Sequence, residues 1–93
     1  MVVKLLTIDI HLPGRSSLKE KRFVLSSVKS KLRNQFNVAV SEVDHHDKWQ
    51  RTCLGIVTVG VDGAAVEATC SRVLKYLERD PRLQILDWTQ EIR

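Results

Sequence analysis

The chain has 93 residues, 43% hydrophobic and 28% charged, with a net charge of +4 and a pI near 9.4. That length predicts one domain over residues 1–93, large enough to bury a core without disulfide or metal staples. No apolar run reaches membrane-spanning length, which argues against a membrane role, and a modest basic excess leaves acidic partners such as RNA open.

Val2 to Leu12 alternates as a strand. Val2, Leu6, Ile8, Ile10 and Leu12 share one face, and Val3, Leu5, Thr7, Asp9 and His11 share the other. Lys4 interrupts the first set. The N-terminal stretch therefore reads as a strand and not as a secretory signal, because it lacks a small-residue cleavage site. Pro13-Gly14 is a turn.

The first helix follows. Ser17 and Glu20 have the spacing of a capping box, in which each side chain bonds a free backbone N–H of the first turn. Leu18, Leu25, Val28, Leu32 and Phe36 cluster on one side at helical spacing, and Val24 widens the stripe. Arg15, Lys19, Lys21, Arg22, Lys29, Lys31 and Arg33 stand in the nineteen positions from Arg15 to Arg33 against one acid, Glu20. The basic character of the protein is mostly that of this helix.

Two residues break the helix pattern. Lys21 falls inside the apolar stripe. It either lays its stem on the core and carries its ammonium to the rim, or pairs with a carboxylate at the sheet edge or an anionic ligand. Phe23 falls opposite the stripe among Lys19, Ser26, Ser30 and Arg33. It is either an ordinary exposed hydrophobe or a contact for a partner or a nucleotide base.

Asn37 to Asp44 reads as a second strand and His45-His46-Asp47-Lys48-Trp49 as a polar connection. Arg51 to Asp62 is a third strand, apolar on both faces as a central strand would be. Asp62 caps a second helix, about Gly63 to Arg79, with Val66, Cys70, Val73 and Leu77 as its stripe. Asp80-Pro81 stops it. Leu83 to Ile92 is a fourth strand whose register the pattern leaves open. Cys53 and Cys70 lack metal or redox spacing and read as buried free thiols of a reducing cytoplasm.

The order β-α-β-β-α-β predicts an α+β ferredoxin-like sandwich. A four-stranded antiparallel sheet of order 4-1-3-2 would carry two helices on one face. The other face would present Val3, Leu5 and half of an apolar third strand. A patch of that kind calls for a cover, most simply a second copy of the chain.

Ser17-Leu18-Lys19-Glu20-Lys21-Arg22, Phe36-Asn37-Val38, Glu42-Val43-Asp44, Asp47-Lys48-Trp49-Gln50 and Leu54-Gly55 together resemble the small bacterial YlxP-like proteins. The resemblance implies a ferredoxin-like fold and no established activity. It also implies gene neighbours that encode a translation initiation factor and a ribosome-binding factor. No catalytic residue and no cofactor is carried over from it.

Four functional readings follow. In the first, a non-catalytic accessory protein offers RNA or the ribosome a basic surface of Arg15, Lys19, Arg22, Phe23, Lys29 and Arg33. The third strand lacks the aromatic pattern of RNA-recognition motifs, so contact falls to the helix and not the sheet. In the second, the chain is an interaction module for an acidic protein. In the third, a phosphate-directed enzyme uses the free amides of Gly14 to Ser17 at the helix start. Acylphosphatases use this fold with a related loop, but they also need an Asn on a neighbouring strand, where this chain has only Thr52 and Thr58. In the fourth, Lys21, Asp44, Asp47 and Trp49 wall a small anion-binding pocket. A metal site at His45, His46 and Asp47 lacks ligand spacing.

Overall fold

The computed structural model describes residues 1–93. Its elements are β1 (Val2–His11), α1 (Leu18–Gln35), β2 (Val38–Asp44), β3 (Arg51–Gly60), α2 (Gly63–Glu78) and β4 (Gln84–Ile92). The four strands form one antiparallel sheet in the order β2-β3-β1-β4. Read from the other edge this is the expected 4-1-3-2, and the architecture is α+β and ferredoxin-like.

Strand alternation sorts the side chains. Leu6, Ile8, Ile10 and Leu12 point beneath the helices and are fully buried, as are Leu54 and Ile56 on β3. Val24, Val28 and Leu32 of α1 and Cys70, Val73 and Leu77 of α2 close the core over them. Burying each large aliphatic contributes about 1.5–3 kcal/mol, so this layer is the main source of stability. Phe36 and Tyr76 meet edge to face at the rim, with centroids 5.8 Å apart.

The helix starts differ in detail. At α2, Asp62 caps directly, its Oδ1 accepting from Ala65 N–H at 2.8 Å. At α1, Ser17 Oγ accepts from Glu20 N–H at 3.1 Å, but the reciprocal half of the capping box is displaced. The Glu20 carboxylate accepts from the Ser16 N–H at 2.9 Å and from its hydroxyl at 3.1 Å, one residue before the cap. Those bonds hold the Glu20 carboxyl below its ordinary pKa. Gly14 makes the preceding turn with φ +74°, a conformation that side chains other than glycine's resist.

The unread register of β4 has a structural cause. Its pairing with β1 shifts between Asp9 and Ile10, so Trp88 opposes Ile8 while Ile85 opposes Ile10. The bulge lies at Leu86, which breaks the alternation that a sequence pattern needs. Leu83, just before β4, turns into the core.

Candidate basic-helix interface

The outer side of α1 carries the predicted basic residues. Lys19, Arg22, Phe23 and Arg33 are exposed, and Arg15 and Lys29 are half-buried. Phe23 is 75% exposed, with Ser26 and Ser30 exposed along the same side of the helix. None of Lys19, Arg22, Lys29 or Lys31 enters an ion pair.

Two of the predicted residues are partly committed elsewhere. The Arg33 guanidinium donates to the Val40 carbonyl at 2.9 Å and so tethers the end of α1 to the outer edge of β2. Arg15 Nε donates to the Pro13 carbonyl at 3.3 Å, and Gln50 Nε2 donates to the Arg15 carbonyl at 3.1 Å.

The sequence reading missed a second basic row. Arg72 and Lys75 on α2 and Arg79 at its C-terminal cap are exposed, and none is ion-paired. Their spacing of three and four places them on one side of the helix, and that spacing was the available signal. Arg82 fixes the turn beyond α2. It grips Asp80 through Nη2 at 2.8 Å and Nε at 3.0 Å and reaches Ser27 of α1 at 3.4 Å. These bonds hold the Asp80 carboxyl below its ordinary pKa and raise that of the Arg82 guanidinium. Lys31, Tyr76, Arg79 and Arg82 border an open groove of about 390 Å³ there. Both helices therefore turn cationic side chains away from the sheet.

Lys21 behaves otherwise. The expectation that its ammonium reaches the rim is overturned, because the residue is 2% exposed. Nζ lies 2.8 Å from Glu42 Oε2 and donates to the His45 carbonyl at 2.5 Å. Thr52 Oγ1 donates to the same Glu42 oxygen at 2.6 Å. Burial opposes the charge on Glu42, but hydrogen bonds from Lys21 and Thr52 outweigh it and hold the carboxyl below its usual pKa. The alternative expectation, a carboxylate partner at the sheet edge, is the arrangement found.

The structure does not gather Lys21, Asp44, Asp47 and Trp49 into one pocket. Asp44 Oδ1 accepts from the His45 N–H at 2.7 Å and helps fix that residue at φ 63°. Asp47 is exposed, and Trp49 is 52% exposed on the loop. His45 Nε2 lies 3.8 Å from Asp9 Oδ1. No group of three or more His, Cys, Asp and Glu side chains is placed to hold a metal ion.

In the loop before α1, part of the predicted anion cradle is committed within the chain. The Ser16 donors already serve Glu20, and the Lys21 N–H donates to the Ser17 carbonyl at 3.2 Å. Thr52 and Thr58 are buried and bonded to Glu42 and to the Asn37 carbonyl. Cys53 and Cys70 are free and buried, and burial raises both thiol pKa values. No helix is long and apolar enough to cross a membrane.

The fold and its basic helix layer define a small α+β ferredoxin-like protein. Residues 3–90 match the family described as Protein of unknown function (DUF503), and the chain belongs to that family. It is 40% identical over 68 residues to a protein of Bacillus subtilis (strain 168) named Uncharacterized protein YlxP. The match covers 73% of this chain and 74% of that protein.

Proposed function

We propose that the protein is a non-catalytic accessory factor that binds RNA, in the setting of the ribosome, through the outer side of α1. The observation that supports this reading is a row of cations without carboxylate partners, the exposed Lys19 and Arg22 and the half-buried Lys29, beside the exposed ring of Phe23. An ammonium already neutralised by a neighbouring acid gains little from a phosphate. Unpaired ones release counterions on binding, and that release drives affinity. Arg72, Lys75 and Arg79 extend the cationic surface across α2. Phe23 supplies a stacking plane that tolerates any base.

Sequence-selective readout is not part of the proposal. A single exposed ring on the helix, with no aromatic on the central strands, fits backbone and shape recognition. The open sheet face, with Val3, Leu5, Val57 and Val59, serves in this reading as a contact for a partner protein. The cytoplasm, where ribosomes are, is the expected location.

The test is RNA binding by the wild type and by a Lys19→Glu, Arg22→Glu, Lys29→Glu variant, each titrated across a salt series. Arg33 is left intact because it holds the β2 edge. The reading expects wild-type affinity to fall steeply with salt and the variant to lose binding while keeping its helix content and melting temperature. Equal binding by both proteins would remove α1 as the site. An acidic protein bound in place of RNA by the same residues would transfer the surface to the interaction-module reading.

A further inference from the structure

The two edges of the sheet are finished differently. On β2, the Val40 carbonyl accepts from the Arg33 guanidinium and the Glu42 carbonyl accepts from His46 Nε2 at 3.1 Å. Side chains thus cover two acceptors of that edge. β4 is longer, with nine residues against seven, and pairs only with β1. Leu86, Trp88 and Ile92 on it are 47%, 46% and 61% exposed. A long unpaired edge that carries exposed apolar side chains is a template for another strand.

The ladder identifies which groups look outward. Arg93 N–H donates to the Val3 carbonyl at 2.8 Å, and Glu91 opposes Leu5. Antiparallel hydrogen bonding alternates, so the odd-numbered residues at this end aim their main chain at β1. Trp88, Gln90 and Ile92 aim theirs at open space. The Trp88 N–H is taken up by its neighbour, Asp87 Oδ1, at 2.8 Å.

We propose that two copies of the chain pair through β4, antiparallel and in the register that sets Gln90 against itself across a two-fold axis. In that register Trp88 opposes Ile92 of the partner subunit, an aromatic against a β-branched residue on the helix side of the sheet. On the open side Asp87 opposes Arg93 of the partner subunit. Both pairs occur twice by symmetry, and opposite charges and aromatic–aliphatic pairs are the favourable cross-strand combinations. All outward hydrogen-bonding positions fall opposite one another. The Trp88 N–H passes to a carbonyl of the partner subunit's Ile92, which frees the Asp87 carboxylate to share the guanidinium of the partner subunit's Arg93. Within its own chain that guanidinium pairs with Glu91 at 2.7 Å. Shifting the axis to Thr89 would set Asp87 against Glu91 of the partner subunit, two like charges, so charge selects the register. The product is a continuous eight-stranded sheet with all helices on one face, and the cationic sides of both copies point the same way.

This pairing does not depend on the RNA reading, and it uses a surface separate from the apolar patch around Val57. Sedimentation velocity over a concentration series would test it. The wild type is expected to be a dimer. Gln90→Pro removes an outward N–H without touching the ladder to β1 and is expected to give a monomer. Asp87→Arg alone and Arg93→Asp alone are each expected to raise the dimer dissociation constant roughly tenfold or more, since the two-fold axis counts each change twice. The two changes together restore the opposed charges and are expected to return the dimer. A folding defect would not be repaired that way. A monomeric wild type would overturn the proposal. So would a dimer that persists in Gln90→Pro and dissociates in Val57→Lys, which would assign the contact to the open sheet face.

Discussion

The ammonium of Lys21 and the carboxylate of Glu42 lie 2.8 Å apart, and together they join the first turn of α1 to the edge strand β2. The Lys21 side chain is 2% exposed and the Glu42 side chain 15%. A charge desolvated to that degree is tolerable only because its partner and further hydrogen bonds compensate it. Lys21→Met leaves Glu42 without that partner and is expected to cost about 3–5 kcal/mol in urea unfolding. Lys21→Met with Glu42→Met removes both charges and is expected to recover most of the loss. Equal destabilisation in the single and double variants would mean that the pair does not bear on stability in this way.

Glu42 also ties stability to pH. Its folded pKa lies below the ordinary 4.5 because hydrogen bonds from Lys21 and Thr52 outweigh burial. A depressed carboxylate stabilises the fold fully above its unfolded pKa and loses that contribution as pH falls through the folded value. Wild type is therefore expected to exceed Glu42→Gln in stability at neutral pH. The gap should close as pH drops below about 4.5, where the unfolded carboxyl begins to take up protons. Melting curves of both proteins across that range check the sign. A gap independent of pH would show that ionisation of Glu42 is not involved.

Two glycines of β3 separate space from strain. A Cβ on Gly60 would lie 3.0 Å from Val66 Cγ1 and 3.2 Å from Ala65 Cβ, against the first turn of α2. Val66 is buried and cannot retreat. On Gly55 the Cβ would meet Val43 Cγ1 at 3.0 Å, and Val43 is an exposed side chain free to turn away. Gly60→Ala is expected to destabilise by about 1–3 kcal/mol and Gly55→Ala by less than about 1 kcal/mol, by chemical unfolding. The reverse order would contradict this account of how α2 approaches the sheet.

Phe23 distinguishes surface from core. It packs into no buried cluster, so Phe23→Ser is expected to change stability by no more than about 0.5 kcal/mol. Under the RNA reading the same change weakens single-strand binding by about 1–3 kcal/mol. Unfolding and binding titrations on one preparation measure both. A large loss of stability would place the ring in the structural core of the protein and not at its interface.

Much of the fold was legible because strand alternation and the helix stripe report burial directly. Leu6 through Leu12 and Val24 through Leu32 sit where their spacing places them. β4 was not, because the bulge at Leu86 removes the period on which that reading depends. The partners of the buried lysines were not legible for a related reason. Lys4 pairs with Glu67 of α2, and Lys21 with Glu42 of β2. Each partner is distant in sequence, and no local pattern announces it. The basic run of α1 was plain from composition, whereas Arg72, Lys75 and Arg79 became a surface only once α2 lay beside α1 on the same sheet face.

The central claim is that the outer side of α1 carries this protein onto ribosomal RNA. Co-sedimentation with small ribosomal subunits at low and moderate salt, wild type beside the Lys19→Glu, Arg22→Glu, Lys29→Glu variant, addresses it most directly. The account predicts that the wild type travels with the subunit at low salt, less so at moderate salt, and that the folded variant stays behind. A wild type that stays in the supernatant at both salts, or a variant that sediments as fully as the wild type, would contradict it.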